Sequence, residues 1–147
     1  MRKLLFLLAL LLAAPFAQAG VKIEHWNAVS GAQVFFVETH ALPILDVKIS
    51  FAAGTAWDPA DKPGTASLTT SLLDLGVQGM DETQIANRLA DLGALLSGGV
   101  DMDRASVGLR TLSAAEQRVP ALELLRAVLV SPQFPAEVFE REKARNI

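Results

Sequence analysis

The alternation of apolar and polar residues predicts that the chain begins with β-strands. Residues 33–38 are rich in β-branched and aromatic side chains, and residues 46–51 alternate strictly between polar and apolar. A period of two residues is typical of a strand with one buried face. Residues 21–26 predict a shorter third strand, and Pro43 marks a turn because proline fixes φ and lacks an N–H donor.

After residue 64 the apolar period lengthens to about three and a half residues, which is typical of helices. The first helical stripe consists of Leu68, Leu72 and Leu75. We expect this helix to end at Gly76. A second helix is predicted to begin at Asp81, which forms a capping box with Gln84, and to end at Gly93.

Two more strands are predicted next, over residues 94–100 and 105–112, joined by a short loop at residues 102–104. The pair Gly98–Gly99 is expected to weaken the first of them or to mark a bulge.

Two further helices complete the pattern. One covers residues 114–130, with Pro120 in or near its first turn and a predicted buried side of Leu122, Leu125 and Leu129. The other begins near Pro135 and still continues at Ile147. The order β-β-β-α-α-β-β-α-α favours an α+β fold in which helices cover an antiparallel sheet. Because the chain ends inside a helix, we expect an incomplete domain.

Residues 1–19 are predicted to be a signal peptide that is cleaved before Gly20. They combine a basic start, an apolar run too short for the roughly 20 residues of a membrane span, and a small-x-small end. The expected location is the bacterial periplasm. Their removal leaves 11 basic and 16 acidic residues, a net charge of −5, with no basic stretch for nucleic acid or an anionic membrane surface. With no cysteine, the chain has neither disulfides nor a thiol nucleophile.

Residue types alone do not assemble an active site. His25 and His40 lack the spacing that places two imidazoles on one helix face. Two aspartate pairs lie in predicted turns, Asp58 with Asp61 and Asp101 with Asp103. Either pair offers oxygen ligands for calcium, but solvated turn aspartates are the favoured interpretation. The charged residues 137–145 are expected to form a solvated helix face.

Several segments together resemble the pitrilysin/insulinase peptidases, the M16 family that includes mitochondrial processing peptidase. Residues 51–66 resemble the family's strand and glycine-containing loop before its catalytic helix. The likeness continues through residues 83–93, 105–113, 122–134 and 139–143, and so covers nearly all of the mature chain. It implies a LuxS/M16 metallohydrolase-like fold, with residues 20–147 as the N-terminal part of an M16-like domain.

At the catalytic helix the sequence departs from the family. Where active members carry the zinc motif H-x-x-E-H, this chain has Ser67, Thr70 and Ser71. A neutral hydroxyl is a poor zinc ligand beside imidazole or carboxylate, and its pKa is too high for a general base near neutrality. The family's third ligand, a glutamate, falls beyond Ile147. The resemblance therefore implies no zinc ligand and no catalytic residue in this chain.

The family suggests a role for such a chain, because its members often work as pairs of homologous halves around a peptide chamber. The chain is then a non-catalytic subunit or half that contributes chamber wall and peptide contacts to a zinc-containing catalytic partner. Two alternatives stay open: a binding or assembly protein on the same fold without a protease partner, and a peptidase whose active site lies in the missing remainder. The three hydroxyls also fit the plain polar face of a helix whose leucines point inward.

We predict that residues 20–147 fold poorly alone, because the last helix is cut and the sheet has an open edge. Thermal unfolding followed by circular dichroism should be broad. A sharp, cooperative transition would contradict this prediction.

Overall fold

A computed structural model of the chain describes residues 20–146, so the predicted signal peptide lies outside the described residues. The chain divides into two units, one up to Ala41 and one from Leu42 onward. Each is described separately below. Within residues 20–146, no helix combines the length and apolar character that crossing a membrane requires.

The first unit contains a β-hairpin of strands β1 (Ile23–Asn27) and β2 (Gln33–Val37). The strands are antiparallel, and both predicted strands of this region are confirmed. The His25 and Phe35 rings stack across the hairpin with centroids 4.6 Å apart.

The second unit is built on an antiparallel sheet of β3 (Ile44–Phe51), β6 (Leu95–Val100) and β7 (Ala105–Leu112). The strand order is β3-β7-β6, so β7 is central. Because side chains alternate along a strand, β7 turns Val107 and Leu109 toward the buried side, where they are almost fully enclosed.

Four α-helices accompany the sheet: α1 (Thr65–Leu72), α2 (Glu82–Leu92), α3 (Ala115–Val130) and α4 (Ala136–Asn146). The buried residues that α2, α3 and the sheet contribute form two adjoining apolar clusters. The predicted α+β class, antiparallel pairing and order of the main elements are therefore confirmed.

The predicted capping box of α2 is also confirmed. The Asp81 carboxylate accepts a hydrogen bond from the Gln84 N–H at 2.8 Å, and the Gln84 side-chain oxygen accepts one from the Asp81 N–H at 2.9 Å. The helix ends at Gly93, whose φ of 58° is left-handed and favours glycine.

The predicted end of α1 is wrong by one turn. The helix stops at Leu72, and Gly76 belongs to a two-residue strand, β4 (Gly76–Val77), that pairs with β5 (Met80–Asp81). The Gly76 carbonyl oxygen also accepts a hydrogen bond from the Gln133 N–H at 2.8 Å. Its backbone is therefore engaged in tertiary pairing, which the leucine spacing does not encode.

The predicted buried face of α3 is partly wrong. Leu125 is buried and Leu129 packs against the core, but Leu122 is exposed. Pro120 is the sixth residue of the helix and therefore lies near its first turn, as predicted. The other buried residues of this helix are Ala121, Leu124 and Val128. Apolar residues occupy almost every side of α3, so periodicity alone does not select the face that the sheet covers.

The loop before α1 is held by an aspartate. The Asp58 carboxylate accepts hydrogen bonds from the N–H groups of Gly64 and Ala66, both at 2.8 Å. These donors lie at the first turn of α1, where backbone N–H groups have no partner within the helix. Asp58 thus fixes the start of α1.

Asp58→Ala should lower the free energy of unfolding by about 1–2 kcal/mol, because two backbone donors lose their acceptor. Denaturant unfolding of the full chain measures this change. Asp61→Ala is the matched control, since the Asp61 side chain in the same loop forms no hydrogen bond within the described residues. Equal stability of the two variants would contradict the capping role.

Candidate functional site

The three hydroxyl residues predicted at the degenerate motif come together on one side of α1. Ser67, Thr70 and Ser71 line a depression of about 270 Å³ with Asp74 and with residues 98–100 of the edge strand β6. Their spacing explains the grouping, since positions i, i+3 and i+4 share a helix face. That these residues correspond to the family's zinc motif stays a prediction.

Two of the three hydroxyls are engaged with their own helix. Thr70 Oγ1 donates a hydrogen bond to the Ala66 carbonyl oxygen, and Ser71 Oγ donates one to the Leu68 carbonyl oxygen, each at 2.9 Å. Such bonds satisfy the hydroxyl protons without any ligand.

This donor set does not fit zinc. Zinc in proteins is held by imidazole, thiolate or carboxylate, and the motif positions offer only neutral hydroxyls. Within residues 20–146, no group of three histidine, cysteine or acidic residues is placed to hold a metal ion. No step of a hydrolytic reaction is therefore assigned to these side chains.

The glycine pair of β6 shapes the depression. Gly98 and Gly99 pair regularly with Val107 and Ser106, so of the two predicted alternatives the bulge is wrong, and the weakening of the strand stays a prediction. A Cβ atom on Gly98 would lie only 2.9 Å from Cγ2 of Thr70. Gly98 thus lets α1 approach the strand closely, which sequence patterning did not show.

Asp74 is a site residue that the sequence analysis missed. It lies half-buried in the same depression, and burial is the main cause that raises the pKa of its carboxyl group. A hydrogen bond to its own backbone opposes the shift, and the charge of Glu82 adds to it. The signal that reveals it is spacing, because Asp74 follows Ser67 by seven residues and Thr70 by four.

The other candidate residues do not join this site. His25 and His40 belong to the first unit, where His40 lies 3.3 Å from the Glu38 carboxylate.

Two of the four turn aspartates, Asp58 and Asp101, accept hydrogen bonds from the backbone. The Asp101 carboxylate accepts hydrogen bonds from the N–H groups of Asp103 and Arg104 at 2.8 and 2.7 Å, which lower the pKa of Asp101. Asp58 caps α1 as described above. Both roles agree with turn aspartates rather than with a calcium site.

The charged run in α4 is not simply a solvated face, as the sequence analysis expected. Glu142 is buried and is held by Arg141 at 3.0 Å and Arg145 at 3.1 Å. The hydrogen bond from Arg141 is the largest cause that lowers the pKa of Glu142. Arg141 also binds Glu82 at 2.7 Å and so links α4 to the start of α2.

Comparison with known proteins gives matches among solved structures. No protein-family model and no curated protein match the chain. One match is the crystal structure of a peptidase M16 inactive domain from Pseudomonas fluorescens. It covers 85% of this chain, with 40% sequence identity and a TM-score of 0.82. A protease from Helicobacter pylori matches 86% of this chain with a TM-score of 0.73, and its 17% identity shows the fold alone. The chain spans 30% of the length of each.

Asp74→Asn should stabilise the folded chain near neutral pH. Burial raises the pKa of Asp74 in the folded chain. The contribution of this carboxyl group to stability is therefore fully present below the pKa of about 3.9 that it has in the unfolded chain, and it is lost as pH rises through the pKa of the folded state. A neutral amide avoids this loss, so the advantage of the variant should shrink in acid. Denaturant unfolding of both proteins, at neutral and at acidic pH, measures this difference in stability.

Asp61→Asn is the control, because Asp61 is exposed in the loop before α1 and lies away from any helix end. If Asp74→Asn were no more stable than Asp61→Asn at neutral pH, the burial argument would be wrong.

Proposed function

We propose, from the premise that this chain is an M16-like domain of the inactive type, that it is the non-catalytic half of a periplasmic zinc endopeptidase. The catalytic partner would carry the intact H-x-x-E-H motif and the zinc. This chain would contribute chamber wall and peptide contacts. Export to the periplasm is part of the proposal and rests on the predicted signal peptide.

One observation carries the proposal. Ser67, Thr70 and Ser71 gather at a single depression beside the sheet edge, so the chain keeps a concave surface in which the three motif positions carry no zinc ligand and no general base. A surface of this kind supports binding and closure, while the chemistry falls to the partner.

The edge strand supports a role in peptide contact. Within the described residues β6 pairs with β7 alone, so its outer edge presents backbone groups beside the depression. An extended peptide adds to such an edge through main-chain hydrogen bonds. Gly98 and Gly99 carry no side chains there, which leaves the backbone accessible.

Reconstitution tests the pairing. The full chain should co-purify with a homologous subunit that carries H-x-x-E-H, and peptidase activity should require both. Binding without any effect on activity would favour the assembly alternative. Full activity of the homologous H-x-x-E-H subunit alone would contradict the proposal.

Ser71→Phe tests the depression itself. The larger side chain should fill this space and raise the KM of the reconstituted peptidase by several-fold, while co-purification is retained. Thr83→Phe is the matched control, since it adds the same ring at an exposed hydroxyl position on α2. Equal KM values for the two variants would show that peptide does not contact the depression.

A further inference from the structure

The two faces of the three-stranded sheet differ in character. The face toward the helices carries apolar residues such as Val47, Val107 and Leu109. The opposite face carries mainly charged, small or hydroxyl side chains, and it forms an open depression of about 610 Å³. That volume lies within the range of ligand-binding clefts.

The strand register shows why this face is concave. One row across the sheet is Asp46, Arg110 and Leu95, and the next is Lys48, Gly108 and Ser97. The central strand has no side chain at Gly108, so the floor is low between the taller residues. A Cβ atom there would also collide with Ser97 Oγ.

The charge of this face is set by Lys48. Arg110 and Asp46 form a two-point ion pair, with Nε–Oδ1 at 2.7 Å and Nη2–Oδ2 at 2.9 Å, which cancels both charges. Lys48 is exposed, and within residues 20–146 it forms no ion pair shorter than 4.0 Å, although its charge also acts on Asp101 and helps to lower the pKa of that carboxyl group. The face therefore has a net positive charge in a chain whose formal net charge is −3.

We propose that this open face binds an extended peptide through an acidic side chain, with Lys48 as the group that attracts the carboxylate. The proposal rests on the proposed function and adds a substrate preference to it. The open face shares Gly98 and Gly99 with the depression beside α1, so the two surfaces are continuous at the edge strand. Lys48 lies two strands from that edge, about 10 Å away.

Charge complementarity favours an acidic peptide as the molecule that binds the open face. An apolar partner would leave Lys48 and the Arg110–Asp46 pair without water or a polar partner, which is costly. A basic segment would be repelled by the Lys48 ammonium group. An acidic side chain replaces the lost water contacts of Lys48 with a charge-assisted hydrogen bond.

The test compares two labelled peptides that differ only by Glu against Gln, titrated onto the full chain by fluorescence anisotropy. The Glu peptide should bind about five-fold more tightly at low salt, and the difference should shrink as salt is added. Lys48→Gln should remove the preference. Lys62→Gln, which removes the same charge from the loop before α1, should keep it.

Asp46→Asn is expected to raise the affinity for the Glu peptide, a result that misfolding of the variant would not produce. It removes a negative charge from the face and releases Arg110, so the Glu peptide should bind several-fold more tightly than it binds the unmodified chain. Circular dichroism of each variant checks that the fold is retained.

Equal binding of the two peptides, or a loss in Lys62→Gln as large as in Lys48→Gln, would overturn the acidic preference. If peptide binding nevertheless remained and reconstituted activity still required this chain, the proposed function would stand without it. Displacement of the Glu peptide by an equal concentration of inorganic phosphate would indicate a simple anion site and would overturn peptide recognition.

Discussion

Thr70 of α1 lies so close to Gly98 of the edge strand β6 that any other residue at position 98 would collide with its methyl group. This contact sets how near the helix lies to the sheet, and Asp58 fixes the start of the same helix from the other side. The depression lined by the three hydroxyls exists because both constraints hold. Ser67 and Ser71 are exposed, and they line this depression from the helix side.

Local patterns were sufficient to predict the five longer strands, the order of the main elements and the capping box of α2, but not the two-residue strands β4 and β5. They failed where tertiary contacts decide. Backbone pairing of Gly76 shortens α1, and the sheet covers a face of α3 that excludes Leu122. The ion pairs of Glu142 with Arg141 and Arg145 lie within α4 and follow from sequence spacing, whereas the burial of Glu142 comes from packing that spacing does not reveal.

The candidate site was predictable only in part. Ser67, Thr70 and Ser71 were identified through the family resemblance, and helical spacing alone places them on one face. Asp74, in the turn after α1, lines the same depression, but its raised pKa arises mainly from burial, which only the folded chain shows. The role of Gly98 was also hidden, because the residue it accommodates lies on a different element.

We propose that Ser67, Thr70 and Ser71 stand where an active metallopeptidase holds its metal and its base. The most direct measurement is the zinc content of the full-length protein, purified alone, exposed to zinc and then freed of unbound metal. We expect the purified protein to contain far less than one zinc ion per chain. One tightly bound zinc ion per chain, lost when Ser67, Thr70 and Ser71 are all replaced by alanine, would contradict it.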